Sequence, residues 1–316
     1  MFSVLIPTYN RARFVTSAID SVLQQTFKDY EIIVIDDGST DNTLQALQKY
    51  GTRTTVIRQP NSGVSAARNK GVEIARGQWV AFLDSDDEWD QNYLISQFEH
   101  IRANPDAVAF VTNALEIHPG HRAHTHFQTR MLGRFGTRSA IRIRRPFRAI
   151  IDHPHWYLQS MVVRRDVLLT TRLFDPALAI AEDLDVITQL ALVGEFGFDK
   201  RVFVRIFRRT EKLSNLASAQ GSLTARKSFD TVFERLDSEP ALTFMERLAL
   251  ARVRSANQRA LGNLLLAEAD RKQARACYKQ ALMIYPSMKS LIKYVASLFS
   301  ARLVYLFGKR QRLNAT

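Results

Sequence analysis

Within the first hundred residues, short apolar runs alternate with amphipathic stretches, and this alternation restricts the fold more than any other feature. Residues 3–7, 31–35 (EIIVI), 54–58 and 79–83 (WVAFL) are the apolar runs. Runs of this length suit strands buried on both faces of a parallel sheet. Between them, Val15, Ala18, Ile19, Val22 and Leu23 fall on one helical face. Leu44 and Leu47 mark a second helix, which Ser39, Thr40 and Asp41 would cap. Residues 64–76 read as a third, ended by Gly77 at the position that favours a left-handed residue. Strand, helix, strand, helix predicts a doubly wound α/β unit with right-handed crossovers. Residues 107–112, 160–163 and 202–207 also have strand composition. Residues 118–148 hold eight arginines and no acid, and are expected as an irregular segment, or a hairpin and helix, laid over the sheet outside the core. Beyond about Gly221 the pattern is helical, giving an α/β domain over 1–221 and an all-α region over 222–316.

In open α/β sheets ligands bind outside the carboxyl ends of the strands, so the residues after each strand are the candidate site. They are Pro7-Thr8-Tyr9-Asn10, then Asp36-Asp37-Gly38-Ser39, then Asp84-Ser85-Asp86-Asp87. Carboxylates gathered at two strand ends repel one another unless a cation neutralises them. A hard divalent ion with oxygen ligands, Mg²⁺ or Mn²⁺, would do so while bridging to a phosphate-bearing substrate. Acidic strand ends also serve as helix caps and solvated turns, which is the preferred reading for Asp41 and an equal one for Asp36. In 61–71, Gly63 permits a tight loop, and Arg68 lies early in the helix that follows, within reach of a nucleotide or phosphate or simply solvated.

PTYN at 7–10, DDGSTD at 36–41, SGVSAARNKG at 62–71, FLDSDD at 82–87 and AED at 181–183 resemble, in order and spacing, glycosyltransferase family 2. The resemblance covers about residues 1–215. It implies a GT-A (Rossmann-like) fold and inverting transfer of a sugar from a nucleotide-sugar donor, typically a UDP-sugar, to a saccharide or lipid-linked acceptor. By position, Pro7 and Tyr9 would line the nucleoside pocket and Asp37 would accept a hydrogen bond from the base. Arg68 would contact base or phosphate, and Asp84 with Ser85 would face the ribose or donor sugar. Asp86, with Asp84, would hold Mn²⁺ or Mg²⁺ against the diphosphate, and Asp183 of the Glu182-Asp183 pair would be the general base. The alternative for Asp183 is a cap of a helix over 184–193; base is the preferred reading, and one residue could do both. Arg208, Arg209 and Lys212 lie where relatives carry a basic loop that closes on the phosphates.

All seven histidines lie between 100 and 155, but with no cysteine near them a zinc site is disfavoured. The arginine-rich segment is expected to face an anionic acceptor or to be a solvated flap. The net charge of +13 is uneven, with 17 basic and 7 acidic residues over 222–316. Leu261, Gly262, Leu265, Ala274, Tyr278, Ala281 and Pro286 have the spacing of one tetratricopeptide unit over about 255–290, following a helix over 242–253. Cys277 lies within it as a buried small side chain. An amphipathic helix over 291–307, with Lys293 and Arg302 and then Lys309, Arg310 and Arg312, suits an anionic membrane surface or packing on the repeat. One cysteine excludes an internal disulfide and suits a reducing compartment. The first ten residues lack a signal peptide's basic start, and no run is long enough to span a bilayer. The expected location is therefore cytoplasmic, with the tail offering peripheral contact at the inner membrane face. No nucleic-acid-binding motif accompanies the basic tail, so nucleic acid is not an expected partner. The competing reading is a non-catalytic nucleotide-sugar-binding or scaffold protein that works through its helical tail.

Overall fold

A computed structural model describes residues 1–121, 123–125, 138–153, 156–208 and 222–299. The chain divides into two compact units, one of residues 1–178 and 182–215, the other of 179–181 and 216–316.

The first unit is a mixed sheet with helices on both faces, a GT-A (Rossmann-like) arrangement. Strands β1 (Phe2–Thr8), β2 (Tyr30–Asp36), β3 (Thr55–Arg58) and β4 (Trp79–Phe82) are separated by α1 (Val15–Leu23), α2 (Thr43–Gln48) and α3 (Gly63–Ile74). Then come β5 (Glu88–Trp89), α4 (Tyr93–Ala103), β6 (Ala109–Ile117), β7 (His124–Thr125), β8 (Ala140–Ile143), α5 (Phe147–Asp152), β9 (Met161–Arg164), α6 (Arg165–Leu168), α7 (Glu182–Val193) and β10 (Phe196–Phe207). The sheet order is β3-β2-β1-β4-β9-β6-β10-β5, with β7 on β6 and β8 on β10. β1 pairs in parallel with β2 and β4, whereas β9 is antiparallel to β4 and β6.

Every residue of β1 and β4 is buried, as a parallel central strand requires. Alternation sends Val4 and Ile6 into one core with Val15, Ala18, Ile19 and Val22 of α1. It turns Leu5 to the opposite face, where a Cβ on Gly71 of α3 would meet its side chain at 3.0 Å. The chain crosses one way from β1 to β2 and β3, then returns to β4 on the other side. The switch point, where a crevice opens, therefore lies at the C-terminal ends of β1 and β4.

Several expectations need correction. Gly77 is not a left-handed helix cap, since α3 is capped by Ala75, at φ of −58° and ψ of 136°. Gly77 is glycine because β1 passes against it, and a Cβ there would stand 2.6 Å from the Ser3 nitrogen. α2 begins at Thr43, where the Asp41 carboxylate accepts the Thr43 N–H at 2.9 Å, while Ser39 Oγ instead accepts the Asn10 N–H at 2.9 Å. The arginine-rich segment is not wholly outside the core. β8 joins the sheet, and Pro146 and Phe147 at the segment's end are buried.

The second unit is helical, with α8 (Leu223–Asp237), α9 (Phe244–Ala267), α10 (Arg271–Ile284) and α11 (Met288–Phe299). α9 runs unbroken through the residues read as the end of one helix and the start of another. Its start is fixed by a capping box between Thr243 and Glu246. Leu261, Leu265, Ala274, Cys277, Tyr278 and Ala296 form its buried cluster. At the α9–α10 crossing, a Cβ on Gly262 would stand 2.7 Å from the Tyr278 ring, so the helices approach this closely only because residue 262 is glycine. Residues 300–307 of the expected amphipathic helix, with Lys309, Arg310 and Arg312, lie outside the described residues.

Candidate active site

The chain leaves β1 through buried Pro7 and exposed Tyr9, and turns at Asn10, whose φ of 52° is left-handed. Asn tolerates that conformation because its short side chain bonds locally. Asn10 Oδ1 accepts the Thr40 N–H at 2.8 Å, tying the end of β1 to the loop after β2.

After β2, Asp36 and Asp37 point into different surroundings. Asp36 is fully buried, with Arg58 Nε 3.4 Å from its Oδ2. Asp37 Oδ1 accepts from Gln59 Nε2 at 2.8 Å and from the Ser62 N–H at 2.9 Å, and its Oδ2 accepts the Gly63 N–H at 2.8 Å. Asp37 thus caps α3 from outside that helix. It holds the loop in which Gly63 takes φ of 87°.

That cap aims α3 so that Arg68, 5% exposed, spans the crevice. Its Nη2 donates to Asp84 Oδ1 at 3.0 Å and its Nη1 to Glu182 Oε1 at 2.8 Å, with the guanidinium over the Phe174 ring at 5.4 Å. Asn69, the next residue, exchanges two hydrogen bonds with the Phe174 backbone, at 2.7 and 3.0 Å. Three segments distant in sequence, α3, the end of β4 and the start of α7, therefore converge on one arginine. Burial opposes its charge, but Asp84 and Glu182 hold the guanidinium protonated.

Asp84-Ser85-Asp86-Asp87 forms a turn closed by the Asp87 N–H on the Asp84 carbonyl at 3.1 Å. Ser85 is buried, while Asp84 and Asp86 are partly open. Gln159, in the short 3₁₀ turn before β9, donates from Nε2 to Asp84 Oδ2 and, at 3.1 Å, to Asp87 Oδ2. Both oxygens of Asp84 are thus engaged, one by Arg68 and one by Gln159. Asp86 Oδ2 lies 3.8 Å from Arg11 Nε. Asp87 is buried and accepts the Phe207 N–H at 2.9 Å, linking the turn to the end of β10. Burial and the neighbouring Asp84 and Asp86 hold the Asp87 carboxyl well above the usual carboxylate range.

Asp183 stands in the first turn of α7, entered through Ala181 at φ of 72°. Its Oδ1 accepts its neighbour Leu184's N–H at 2.7 Å. Burial and the adjacent Glu182 push its pKa up to about 7, against the lowering pull of Arg68. Arg208 follows β10, donating to Glu116 Oε2 at 3.1 Å over the Tyr157 ring, and the Tyr157 hydroxyl also donates to Glu116. Arg209, Lys212 and His126 lie outside the described residues.

The sequence-predicted residues Pro7, Tyr9, Asp37, Arg68, Asp84, Ser85, Asp86 and Asp183 all lie around the ends of β1, β2 and β4 and the start of α7. Sequence reasoning missed Gln159, Asp87 as a buried member, and Glu116 and Tyr157, the partners of Arg208. The arginine-rich segment splits between the two ends of the sheet. His118 lies at the site end, 3.5 Å from Glu116. Arg142 pairs in register with Gly197, near the opposite end of β10, and bonds Glu195 there.

Five carboxyls, Asp84, Asp86, Asp87, Glu182 and Asp183, meet three arginines, Arg11, Arg68 and Arg208. Among the described residues, no three acidic or histidine side chains are gathered closely enough to hold a metal ion. The donor set still fits a hard divalent cation. The ligands are carboxylate oxygens, and like-charge repulsion that raises Asp87 is what a bound cation would relieve.

The fold and these motifs agree with the comparisons. Residues 3–165 match the profile "Glycosyl transferase family 2". The chain is 36% identical over 207 residues to the minor teichoic acid biosynthesis protein GgaA of Bacillus subtilis, covering 61% of this chain and 43% of that protein. It spans less than half the length of the first curated relatives it matches. S. aureus TarS 1–349, in complex with UDP-GlcNAc, superposes with a TM-score of 0.71 at 18% identity over 98% of this chain and 91% of the other. A mannosyltransferase of Pyrobaculum calidifontis, PcManGT, in complex with GDP-Man and Mn²⁺, does so at 0.56 and 18% over 92% and 77%. At such identities the two structures share the fold. With its five motifs carried on that fold and more than half its length matched by the family profile, the chain belongs to glycosyl transferase family 2.

Proposed function

We propose that the chain transfers a sugar from a nucleotide-sugar donor, a UDP-sugar, to a saccharide or lipid-linked acceptor in cell-surface polysaccharide synthesis, with inversion at the anomeric carbon. The observation that carries this reading is the Arg68 bridge. It joins the donor-side Asp84 to Glu182, the immediate neighbour of an Asp183 whose pKa is near 7. A carboxylate with that pKa is matched to removing a proton from an acceptor hydroxyl near neutral pH.

Asp183 takes the acceptor hydroxyl's proton as that oxygen forms its bond to the anomeric carbon, and the carbon–oxygen bond to the diphosphate breaks. The electron pair leaves with the nucleoside diphosphate. Tyr9 and Pro7 bound the nucleoside, and Asp37 shapes the pocket through the 59–63 loop it fixes. Arg68 balances the carboxylates and keeps Glu182 from pairing elsewhere. Mn²⁺ or Mg²⁺, held by Asp86 with Asp84, would stabilise the negative charge that develops on the departing diphosphate. TarS, bound to UDP-GlcNAc, and GgaA, named for teichoic acid synthesis, support the donor and product class. The complex of PcManGT with Mn²⁺ supports the metal. Among the described residues, no helix is long and apolar enough to cross a membrane. Peripheral contact is supported by α11, where Met288, Leu291, Ile292, Val295 and Leu298 form an exposed stripe.

The test is a calorimetric titration of UDP, GDP and CDP, with and without Mn²⁺, on the wild type and Asp86→Asn. Metal-dependent binding of UDP that the variant loses is the expected result. Binding of none of the three would overturn the transferase reading in favour of a scaffold working through the helical tail.

A further inference from the structure

Arg11 has no part in the transferase reading, yet its side chain crosses to the carboxylates that carry it. The Arg11 N–H donates to Thr43 Oγ1 at 2.9 Å, and its carbonyl accepts the Phe14 and Val15 N–H groups at 2.9 and 3.0 Å. Residue 11 is thus fixed where β1 gives way to α1, against the first residue of α2. From that root the side chain, 15% exposed, reaches the turn after β4, where Nε lies 3.8 Å from Asp86 Oδ2.

Arg68, Arg208 and Arg11 meet their carboxylates in different ways. Arg68 stands 3.0 Å from Asp84 and 2.8 Å from Glu182, and Arg208 stands 3.1 Å from Glu116, so these pairs are hydrogen-bonded. At 3.8 Å the Arg11–Asp86 pair is beyond hydrogen-bond distance and is held by charge alone. A pair held in that way is exchanged more cheaply than a hydrogen-bonded one. Position points to the partner taken in exchange. Tyr9, two residues before Arg11, bounds the nucleoside, and Asp86 holds the metal. The diphosphate of the donor joins those two ends of the crevice, and the Arg11 side chain extends between them. A guanidinium also presents the fork of N–H donors that matches phosphate oxygens.

We propose that Arg11 is a donor-positioning residue with two partners in turn. It pairs with Asp86 before the donor enters, then yields that carboxylate to the metal and takes the diphosphate. The inference rests on the transferase reading and adds a competition to it. Arg11 opposes the metal at Asp86 when no nucleotide is bound, and supports the nucleotide once it is. Losing Arg11 therefore moves the two affinities in opposite directions, whereas losing a residue that only supports the fold would move both the same way.

The test measures both on the full chain. Electron paramagnetic resonance of the free ion follows Mn²⁺ binding without nucleotide, and calorimetry follows UDP binding at saturating Mn²⁺. Arg11→Gln is expected to bind Mn²⁺ alone about fivefold more tightly and UDP about tenfold more weakly. The gain in Mn²⁺ affinity is expected to vanish when Asp86→Asn is added, which places the competition at Asp86. Arg11→Lys keeps the charge and loses the fork. Its Mn²⁺ affinity is expected to stay near that of the wild type and its UDP affinity to fall between. Circular dichroism checks the fold of each variant, and if Arg11→Gln does not fold, the split between the two ligands in Arg11→Lys carries the test. Wild-type protein that binds UDP with Mn²⁺, alongside Arg11 variants that move neither affinity or move both in one direction, would overturn this proposal alone. Wild-type protein that binds no nucleotide, with or without Mn²⁺, would overturn the transferase reading and this proposal with it.

Discussion

At the scale of single residues, Asp183 and Gln159 set the clearest expectations. In the proposed role of general base Asp183 would work deprotonated, so kcat/KM is expected to rise with pH through about 7 and level off above it. Glu182 is a raising influence on that pKa, second to burial. Glu182→Gln is therefore expected to move the acidic limb to lower pH, and a limb that stays put or rises removes Glu182 from the tuning. Asp183→Asn should keep the donor affinity and lower transfer by about a hundredfold or more. The same shift has a stability sign. The folded pKa lies above the unfolded value of 3.8, so the stabilisation is fully present below that value and is lost as pH rises through 7. Asp183→Asn is thus expected to raise Tm relative to wild type at pH 8 but not at pH 4, a comparison that thermal melts make directly. Gln159 is a positioning residue, since it bonds Asp84 and Asp87 and its own carbonyl accepts from Trp89 Nε1 at 2.9 Å. Gln159→Ala leaves two carboxylates facing each other without the amide between them. Donor KM is expected to rise about tenfold with kcat less affected, and Gln159→Glu to be worse, since it adds a third carboxylate.

Among the elements, Gly77 shows how a correct residue can be assigned the wrong reason. Gly77→Ala would drive a Cβ to 2.6 Å from the Ser3 backbone nitrogen, and backbone cannot step aside as a side chain can. A loss of about 2 kcal/mol or more in urea unfolding is expected, and an unchanged midpoint would show that β1 shifts to accept it. Sequence alone marked a glycine after a helix, which is the usual mark of a left-handed cap. The apolar runs of β1, β2 and β4 and the residues that follow them were legible because a buried parallel strand must be apolar throughout. β10 was legible only from Val202. Its first half carries Gly197, whose role is packing, since a Cβ there would strike the Phe110 ring at 2.4 Å. It also carries Asp199, buried but bonded to His100 at 2.7 Å and to Arg201 at 2.6 Å. Gly197 and Asp199, residues that usually end strands, were thus absorbed by Phe110 and His100, partners distant in sequence. Gln159 was illegible for a related reason. A lone glutamine in a short turn carries no motif, and its partners Asp84 and Asp87 come 75 and 72 residues earlier.

Across the whole molecule, charge is unevenly distributed. The first unit concentrates acid at its strand ends, while residues 222–316 carry 17 basic and 7 acidic side chains. An acceptor held in a membrane would be met by an enzyme with a second, basic surface, and α11 supplies the apolar part of such a surface. Met288, Leu291, Ile292, Val295 and Leu298 recur at helical spacing and are exposed, whereas Ser290 and Ala296 of the same helix are buried. The stripe therefore contributes little to the folded unit, and replacing Leu291, Ile292, Val295 and Leu298 by Gln should leave the helical circular dichroism unchanged. Each basic residue near an anionic surface adds about 1 kcal/mol, which salt screens, whereas the apolar stripe adds a term that salt does not weaken. Wild-type protein is expected to pellet with phosphatidylglycerol vesicles at about 0.1 M salt and only partly at about 0.5 M. The four-Gln variant is expected to pellet weakly at the lower salt and to release fully at the higher one. If the variant pellets as well as wild type at both, the stripe plays no part in docking, and basic charge alone draws the chain to the surface.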